Sequence, residues 1–244
     1  MKFKNNQVSF IPKSKDVELC VPRPKPSKTY IPQWFKEMPS YVPKIDNVGK
    51  DATAKKCIPF LDGLTSGYTQ ELACDVYIEV VEENEDNSVI KYSWSGYQVS
   101  DEIKPLSTRR EDTNSSNSMP HFFGYHKQEF HWNTFWEPKT PPGYSTLYFH
   151  PANRFDLPFM THTAIIDTDK WPITGPIPFV LKKGFSGLIP AGTPIYQIIF
   201  IKRNIWNSEQ EKYDEEYDKK TQFSVRKFFK DGYKKQIWSK KEYN

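Results

Sequence analysis

Apolar and polar residues alternate along several short stretches in the middle of the chain. Residues 74–81, CDVYIEVV, place Cys, Val and Ile at every second position, and residues 88–99, SVIKYSWSGYQV, do the same with Ile90, Tyr92 and Trp94. A period of two is typical of a strand with one buried face. Five further runs of five to eight residues follow, mostly between turns with Pro or Gly: QEFHW, YSTLYFH, THTAIID, IPFVL and IYQIIFIK. Because no helix of crossover length separates these runs, we predict an all-β fold, an antiparallel β-sandwich of jelly-roll-like character over residues 55–206.

Two stretches beside these runs show no alternation. Residues 55–72, KKCIPFLDGLTSGYTQEL, combine a short apolar run with Gly63 and Gly67, which predicts a turn-bounded pair of strands. Residues 101–119, DEIKPLSTRREDTNSSNSM, are polar with no period. Long polar loops in compact domains are usually functional or disordered, and we expect this one to be exposed.

The N-terminal region is rich in proline. Residues 10–46 contain Pro12, Pro22, Pro24, Pro26, Pro32, Pro39 and Pro43. Proline fixes φ and has no N–H to donate, so we expect neither a helix nor a central strand here. Residues 1–54 are therefore predicted to form an extended arm. The arm is expected to lie on a surface, of its own domain or of a neighbour, through Tyr30, Trp34, Phe35 and Tyr41.

The C-terminal region changes to a helical pattern. In NSEQEKYDEEYDKK, Ser208 is followed three positions later by Glu211, which is typical of a capping box. We predict a helix that starts near residue 208 and a second helical piece after Gly232. Residues 207–244 are thus expected to be a helical segment that docks on the β domain or reaches away from it.

Composition and charge exclude several classes of protein. Aromatic residues make up 16% of the chain and the wider apolar class only 37%, so the core is expected to consist of few, large side chains. The net charge of +4 is spread along the sequence, which does not indicate nucleic-acid binding. No apolar run has the length of a signal peptide or a membrane span, and the three cysteines, Cys20, Cys57 and Cys74, show no metal or disulfide spacing. We expect free thiols, no membrane association and a cytoplasmic location.

Five histidines are the first candidates for a metal site. His121, His126 and His131 recur every five residues, which matches neither an HExxH helix nor an HxH strand. His150 and His162 would form a two-histidine-one-carboxylate set with a nearby aspartate if strands 144–150 and 161–167 pair. However, Pro151 places His150 at a strand end, where a hydrogen bond from the ring to a turn carbonyl is more common. We therefore predict no metal and no cofactor, and no catalytic residue is assigned because GxSxG and phosphate-loop motifs are also absent.

One run, TPPGYSTLYFHPANRFDLPF at residues 140–159, concentrates polar groups around a turn and a strand. Pro141, Pro142 and Gly143 predict a stiff turn, and a strand with Leu147 and Phe149 on one side is expected to end at Pro151. The predicted turn and strand explain most of the residues in this run. A ligand pocket is the alternative for a polar set that converges if the two strands are neighbours: His150, Asn153, Arg154, Asp156, His162, Asp167 and Asp169.

This run, together with KKCIPFLDGLTSGY, AIIDTDKW, IPFVL and GLIPAGTPIYQIIFIKR, resembles a family of uncharacterised proteins of bacteria and their tailed phages, a domain of unknown function of the DUF6065 type. The resemblance covers roughly residues 30–206. It implies no activity and no catalytic residues. GLIPAGTPIYQIIF also resembles the second half-motif of cupins, without the His- and Glu-bearing first motif.

Three classes of function fit these features. The first is a phage-encoded structural or assembly protein that acts through protein–protein contacts, as a homo-oligomer or with other phage structural proteins, in the host cytoplasm or in the virion. The second is a metal-dependent, cupin-like jelly-roll oxygenase that uses His150, His162 and a carboxylate. The third is a small-molecule or carbohydrate-binding module. We favour the first because the proline-rich arm, the polar loop and the helical tail are suited to contacting neighbouring subunits.

Overall fold

A computed structural model describes residues 7–83, 88–96, 103–108, 120, 122–171, 175–227 and 232–244 of the chain. The helices within these residues are α1 (Lys15–Cys20), α2 (Gln33–Glu37), α3 (Ile58–Thr65), α4 (Glu215–Lys227) and α5 (Gly232–Gln236). The first eight strands are β1 (Ser9–Pro12), β2 (Lys25–Pro26), β3 (Tyr41–Pro43), β4 (Lys50–Ala52), β5 (Tyr68–Glu71), β6 (Val76–Glu83), β7 (Ser88–Trp94) and β8 (Leu106–Thr108). They are followed by β9 (Tyr125–Trp132), β10 (Trp136–Lys139), β11 (Tyr144–Phe149), β12 (Phe159–Thr161), β13 (Ala164–Ile166), β14 (Ile177–Lys182), β15 (Gly187–Ile189) and β16 (Pro194–Lys202).

The strands form several antiparallel sheets. The largest has the order β13-β11-β16-β5-β2, the second β12-β14-β9-β8 and the third β15-β6-β7, while β1-β10 and β3-β4 are two-stranded. Each strand pair described is antiparallel. The prediction of an all-β, antiparallel fold is thus confirmed, and the described strands do not close into a barrel. Among the described residues, no helix has the length and apolar character that crossing a membrane requires.

Large side chains fill the core between the three larger sheets, as the composition predicts. Trp132 of β9 stacks on Phe179 of β14 with ring centroids 3.7 Å apart, and Phe159 packs against both rings edge-on. Tyr148 of β11 meets Tyr196 of β16 at 5.6 Å. All five rings are almost completely buried. Aromatic pairs in these geometries add to the free energy gained by burying their area, so few residues suffice for the core.

The alternation in the sequence corresponds to buried and exposed faces. In β6, Val76 and Ile78 are buried while Tyr77 is exposed. In β11, Leu147 and Phe149 share one side, as predicted from the period. The more buried side, however, is that of Tyr148.

The predicted strand pair at residues 55–72 is partly wrong. The first half forms helix α3, and only the second half forms a strand, β5. Pro59 lies in the first turn of α3, where a missing N–H costs nothing because that group has no partner inside the helix.

The N-terminal arm contains short helices, against the expectation that its prolines prevent them. Helix α1 lies between Pro12 and Pro22, and its N-cap Ser14 accepts a hydrogen bond from the Val17 N–H at 3.2 Å. Helix α2 begins directly after Pro32. The prolines thus flank the helices and do not interrupt them.

The arm is held on its own domain by polar contacts to β5. Both Lys25 and Tyr30 bind the carboxylate of Glu71, each at 2.6 Å. Burial and the hydrogen bond to Glu71 together raise the pKa of Tyr30 far above its ordinary value. Phe35 is buried and stacks on Phe60 of α3 at 5.7 Å. Strand β2 extends the edge of the largest sheet beside β5.

The C-terminal helix starts later than predicted. Residues 203–214 contain neither helix nor strand, and α4 begins at Glu215. The carboxylate of Asp214 accepts hydrogen bonds from the N–H groups of Glu216 and Tyr217 at 2.9 and 3.0 Å. Asp214, and not Ser208, is therefore the cap. Of the predicted polar loop 101–119, residues 103–108 are described. They do not match the expectation of an exposed loop, because Ile103 and Leu106 are buried and Leu106–Thr108 form β8 beside β9. The rest of that loop and the expected apolar positions at 228 and 229 lie outside the described residues.

Candidate functional site

The first group of predicted site residues forms a hydrogen-bonded loop after β11. The Nε2 of His150 lies 3.1 Å from the Arg154 carbonyl, and its Nδ1 lies 3.3 Å from the Thr161 N–H. A carbonyl only accepts and an N–H only donates, so Nε2 carries the proton and Nδ1 accepts. Burial lowers the pKa of His150, although the bond to the Arg154 carbonyl raises it. The ring is neutral and uses both nitrogens, and the expected bond to a turn carbonyl is confirmed.

Arg154 and Asp156 connect this loop to the N-terminal arm. Arg154 binds Asp156 through two nitrogens, at 2.9 and 2.8 Å, and also donates to the Tyr30 carbonyl at 3.4 Å. The Trp34 indole donates to Asp156 at 3.3 Å. Burial raises the pKa of Asp156, but the bonds from Arg154 and Trp34 outweigh it and leave the pKa below its ordinary value. Asn153 has a φ of 57° and donates to the Phe60 carbonyl of α3. The loop therefore fastens the arm and α3 to the β domain.

The second group lies at the opposite end of β11. Ser145 donates to Asp167 at 2.6 Å, and the Gly143 N–H donates to Asp169 at 2.8 Å. Arg203, just after β16, forms ion pairs with both aspartates. The hydrogen bond from Arg203 holds the pKa of Asp169 below its ordinary value. These contacts hold together the start of β11, the residues that follow β13 and the residue that follows β16.

Three buried threonine hydroxyls reinforce the same corner. Thr168 lies 2.9 Å from Thr140 and 2.6 Å from Thr146, oxygen to oxygen. Thr140 also donates to the Tyr144 carbonyl at 3.1 Å. All three threonines are almost fully buried. The TPPGYST run is thus a packed turn and strand start in which the hydroxyls of Thr140, Ser145 and Thr146 all have structural partners.

His162 forms a third group. Its ring lies 5.2 Å from that of Phe122, and its Nδ1 is 3.7 Å from a carboxylate oxygen of Glu129 on β9. Burial lowers the pKa of His162, and the nearby carboxylate opposes that shift.

The structure does not bring the seven predicted residues together. Strands β11 and β13 do pair, as the hypothesis required. However, Ser145 on β11 and His150, the residue directly after β11, are five positions apart, roughly 17 Å at about 3.3 Å per residue. Within the described residues, no three His, Cys, Asp or Glu side chains are grouped closely enough to hold a metal ion. The two-histidine-one-carboxylate set is therefore not assembled there.

A buried amide that the sequence did not indicate links α3 to the loop after β11. Gln197 of β16 accepts a hydrogen bond from the Ala152 N–H at 2.9 Å. Its amide nitrogen donates to the carbonyls of Gly63 and Ser66, at 3.0 and 2.5 Å. Because these partners are far away in the sequence, no local pattern reveals the role of Gln197.

Exposed apolar side chains concentrate on two segments that leave the β domain. The first is the β3–β4 hairpin, residues 41–52, where Ile45 is fully exposed. The second, here named the C-terminal excursion, comprises residues 204–237, of which 204–227 and 232–237 are described. Ile205 and Trp206 are 93% and 85% exposed, and Tyr213 and Tyr217 are also exposed.

After the excursion the chain returns to the β domain. Residues 238–244, here named the docking segment, contact α3 and β5. A cavity of about 340 Å³ lies beside this segment and is lined by Tyr68, Tyr144, Phe200 and Tyr243, with Lys241 at its polar side. The molecule thus offers two kinds of site, the exposed segments and this aromatic cavity.

Comparison with known proteins adds no assignment. No family model matches the chain, and no curated protein matches it. The resemblance to the uncharacterised phage and bacterial family therefore rests on the quoted sequence runs alone.

Proposed function

We propose that the chain is a structural or assembly protein that acts through protein–protein contacts, on a β-sandwich scaffold of jelly-roll-like type. The exposed pair Ile205 and Trp206 carries this proposal. Its partners are further copies of the chain or other phage structural proteins, in the host cytoplasm or the virion. Lys25 and Tyr30 fix the first part of the arm to its own domain, so the part of the arm that can contribute is the exposed β3–β4 hairpin.

The physical reason lies in the cost of exposed aromatic surface. A tryptophan beside an isoleucine, both exposed to water, gains free energy when a partner covers them, and tryptophan is enriched among residues that dominate binding. The following residues include an acidic cluster, Asp214–Asp218, at the start of α4. Charged residues around an apolar centre are typical of an interface rim.

The mass of the protein in solution tests the proposal. We expect an oligomer by size-exclusion chromatography with light scattering, and a shift toward monomer in an Ile205→Ser/Trp206→Ser double variant. Trp171→Ser is the matched control, since Trp171 is exposed on the β domain and should leave the mass unchanged. A wild-type monomer at about 100 μM, or an unchanged mass in the double variant, would contradict self-association. Mass spectrometry of purified virions tests incorporation into particles.

The aromatic cavity favours a second candidate function, the binding of a small molecule or carbohydrate. Four aromatic rings offer stacking surfaces, Lys241 and Glu242 add charged groups to the lining, and the volume lies in the range of ligand sites. Calorimetric titration with simple mono- and disaccharides, compared with a Tyr144→Ala variant, tests it. Saturable binding that the variant loses supports this function, and no detectable heat for either protein contradicts it for these sugars.

The oxygenase alternative has its own test. It requires about one iron per chain, lost in His150→Ala or His162→Ala, and elemental analysis measures this directly.

A further inference from the structure

The docking segment is attached to the β domain by a small set of specific contacts. The Trp238 indole donates to both carboxylate oxygens of Asp62 on α3, at 3.1 and 2.9 Å, and Lys241 binds the same carboxylate at 2.7 Å. The Tyr243 ring meets Tyr68 edge-on with centroids 5.8 Å apart. The Tyr68 hydroxyl donates to the Asn244 carbonyl at 3.0 Å. Asp62 and Tyr68 thus form a receptor for residues 238–244.

A long connection separates this segment from the rest of the chain. Arg203 is anchored to the domain through its N–H to the Gly143 carbonyl and through Asp169. The excursion follows, and the contacts described for it are local, such as the ion pairs Glu215–Lys219 and Glu216–Lys220. Residues 204–214 alone span up to roughly 35 Å when extended. That length is enough for the docking segment to reach the receptor of an adjacent molecule.

Docking within one molecule leaves apolar surface in water. Ile205, Trp206, Tyr213, Tyr217 and Ile237 are all more than half exposed in this arrangement. Exchange of the docking segment between two molecules would keep every contact to Asp62 and Tyr68. It would also place two excursions side by side, where their apolar side chains can cover each other.

The charge of the excursion favours such an antiparallel pair. Its first half carries Glu209, Glu211 and the cluster Asp214–Asp218, whereas its second half is rich in Lys and Arg up to Lys235. A two-fold axis between the excursions sets the acidic half of one against the basic half of the other. Interfaces of this kind are self-complementary and closed, so they end at a dimer.

We propose that two copies of this chain exchange their docking segments, so that residues 238–244 of each bind Asp62 and Tyr68 of the other. This inference rests on the proposed self-association and specifies its geometry. The partner is therefore a second copy of the chain.

A complementation experiment tests the exchange. One variant, Asp62→Ala, has a defective receptor and an intact docking segment. The other variant, Trp238→Ala/Lys241→Ala, has an intact receptor and a defective docking segment. Each variant alone should dimerise at least tenfold more weakly than the wild type. An equimolar mixture should recover dimers that contain one chain of each kind, because the intact receptor and the intact segment then meet.

Light scattering and native mass spectrometry of differently tagged chains distinguish the outcomes. Lys240→Ala is the control, since Lys240 pairs with the adjacent Glu242, and it should dimerise like the wild type. If Asp62→Ala does not fold, Asp62→Asn replaces it, because it keeps the shape and removes the ion pair with Lys241. A wild-type monomer contradicts the proposed self-association, on which the exchange rests. A wild-type oligomer whose variants do not weaken, or whose mixture does not recover, contradicts only the exchange.

Discussion

Gln197 is the side chain whose replacement tests the packing of α3 most directly. It is 1% exposed and makes three hydrogen bonds to backbone groups of α3, of the residue after it, and of the loop after β11. A Gln197→Leu substitution keeps the approximate size of the side chain and removes all three bonds. The N–H of Ala152 and the carbonyls of Gly63 and Ser66 would lose these partners.

The expected loss of stability follows from those bonds. Each hydrogen bond contributes about 1 kcal/mol net, and a buried backbone group left unpaired costs about 1–3 kcal/mol. The additional apolar surface of leucine returns about 1–2 kcal/mol. With three groups left unpaired, we therefore expect Gln197→Leu to lower the free energy of unfolding by at least about 1 kcal/mol and by up to about 8 kcal/mol.

Urea denaturation followed by tryptophan fluorescence measures this difference. Gln33→Leu is the matched control, because Gln33 is exposed and bonds only to Glu37 among the contacts described for it. It should change stability by less than about 0.5 kcal/mol. A loss below about 1 kcal/mol for Gln197→Leu would show that the amide does not hold α3 in place.

Three further predictions concern single residues. Burial lowers the pKa of His150 in the folded protein, so below about pH 6.5, the pKa of an unperturbed histidine, the unfolded chain binds more protons than the folded chain. Stability should therefore be full above about pH 6.5 and fall as the pH drops below it, and His150→Asn should reduce this slope in denaturation curves. Thr168→Val should lower the free energy of unfolding by about 2 kcal/mol because it removes the central hydroxyl of a buried network. Thr163→Val is the control and should be nearly neutral, since Thr163 is exposed; equal melting temperatures for the two variants would contradict the prediction. Gly67→Ala would place a Cβ 1.9 Å from the Ile198 carbonyl oxygen, while Gly184, with the same φ of 75°, has open space around it. We expect the free energy of unfolding to fall by more than about 3 kcal/mol for Gly67→Ala and by about 1 kcal/mol for Gly184→Ala. Similar losses for the two variants would contradict the steric explanation.

The sequence predicted those parts of the fold that depend on local pattern. The period of two in β6 and β7 identifies strands because it reports one buried face. The start of the last helix was wrong because Ser208 and Asp214 are both good caps, and the residues between them are exposed, so no packing signal separates the two. Helix α3 was missed because its glycine was interpreted as part of a turn between strands. Its Pro59 lies in the first helical turn, where proline is favourable and does not end the helix.

The candidate site was predictable only where its residues are close in sequence. The pair of Arg154 and Asp156 and the His150 bond to a turn carbonyl follow from a short loop. Gln197, in contrast, binds partners 45 to 134 positions away. The sequence also does not state that Asp167 and His150 lie at opposite ends of β11, because strand register depends on the partner strand.

The cavity near Tyr68 has a consequence for how the chain is connected. It is lined by Gln7 of the N-terminal arm and by Tyr243 of the docking segment, so two segments that are far apart in the sequence share one cavity wall. Opening the chain at the exposed Asn47 in the β3–β4 hairpin removes no residue beside this cavity and should keep the native strand order of the three larger sheets. The hairpin is therefore a better place for an affinity tag than the residues that line the cavity.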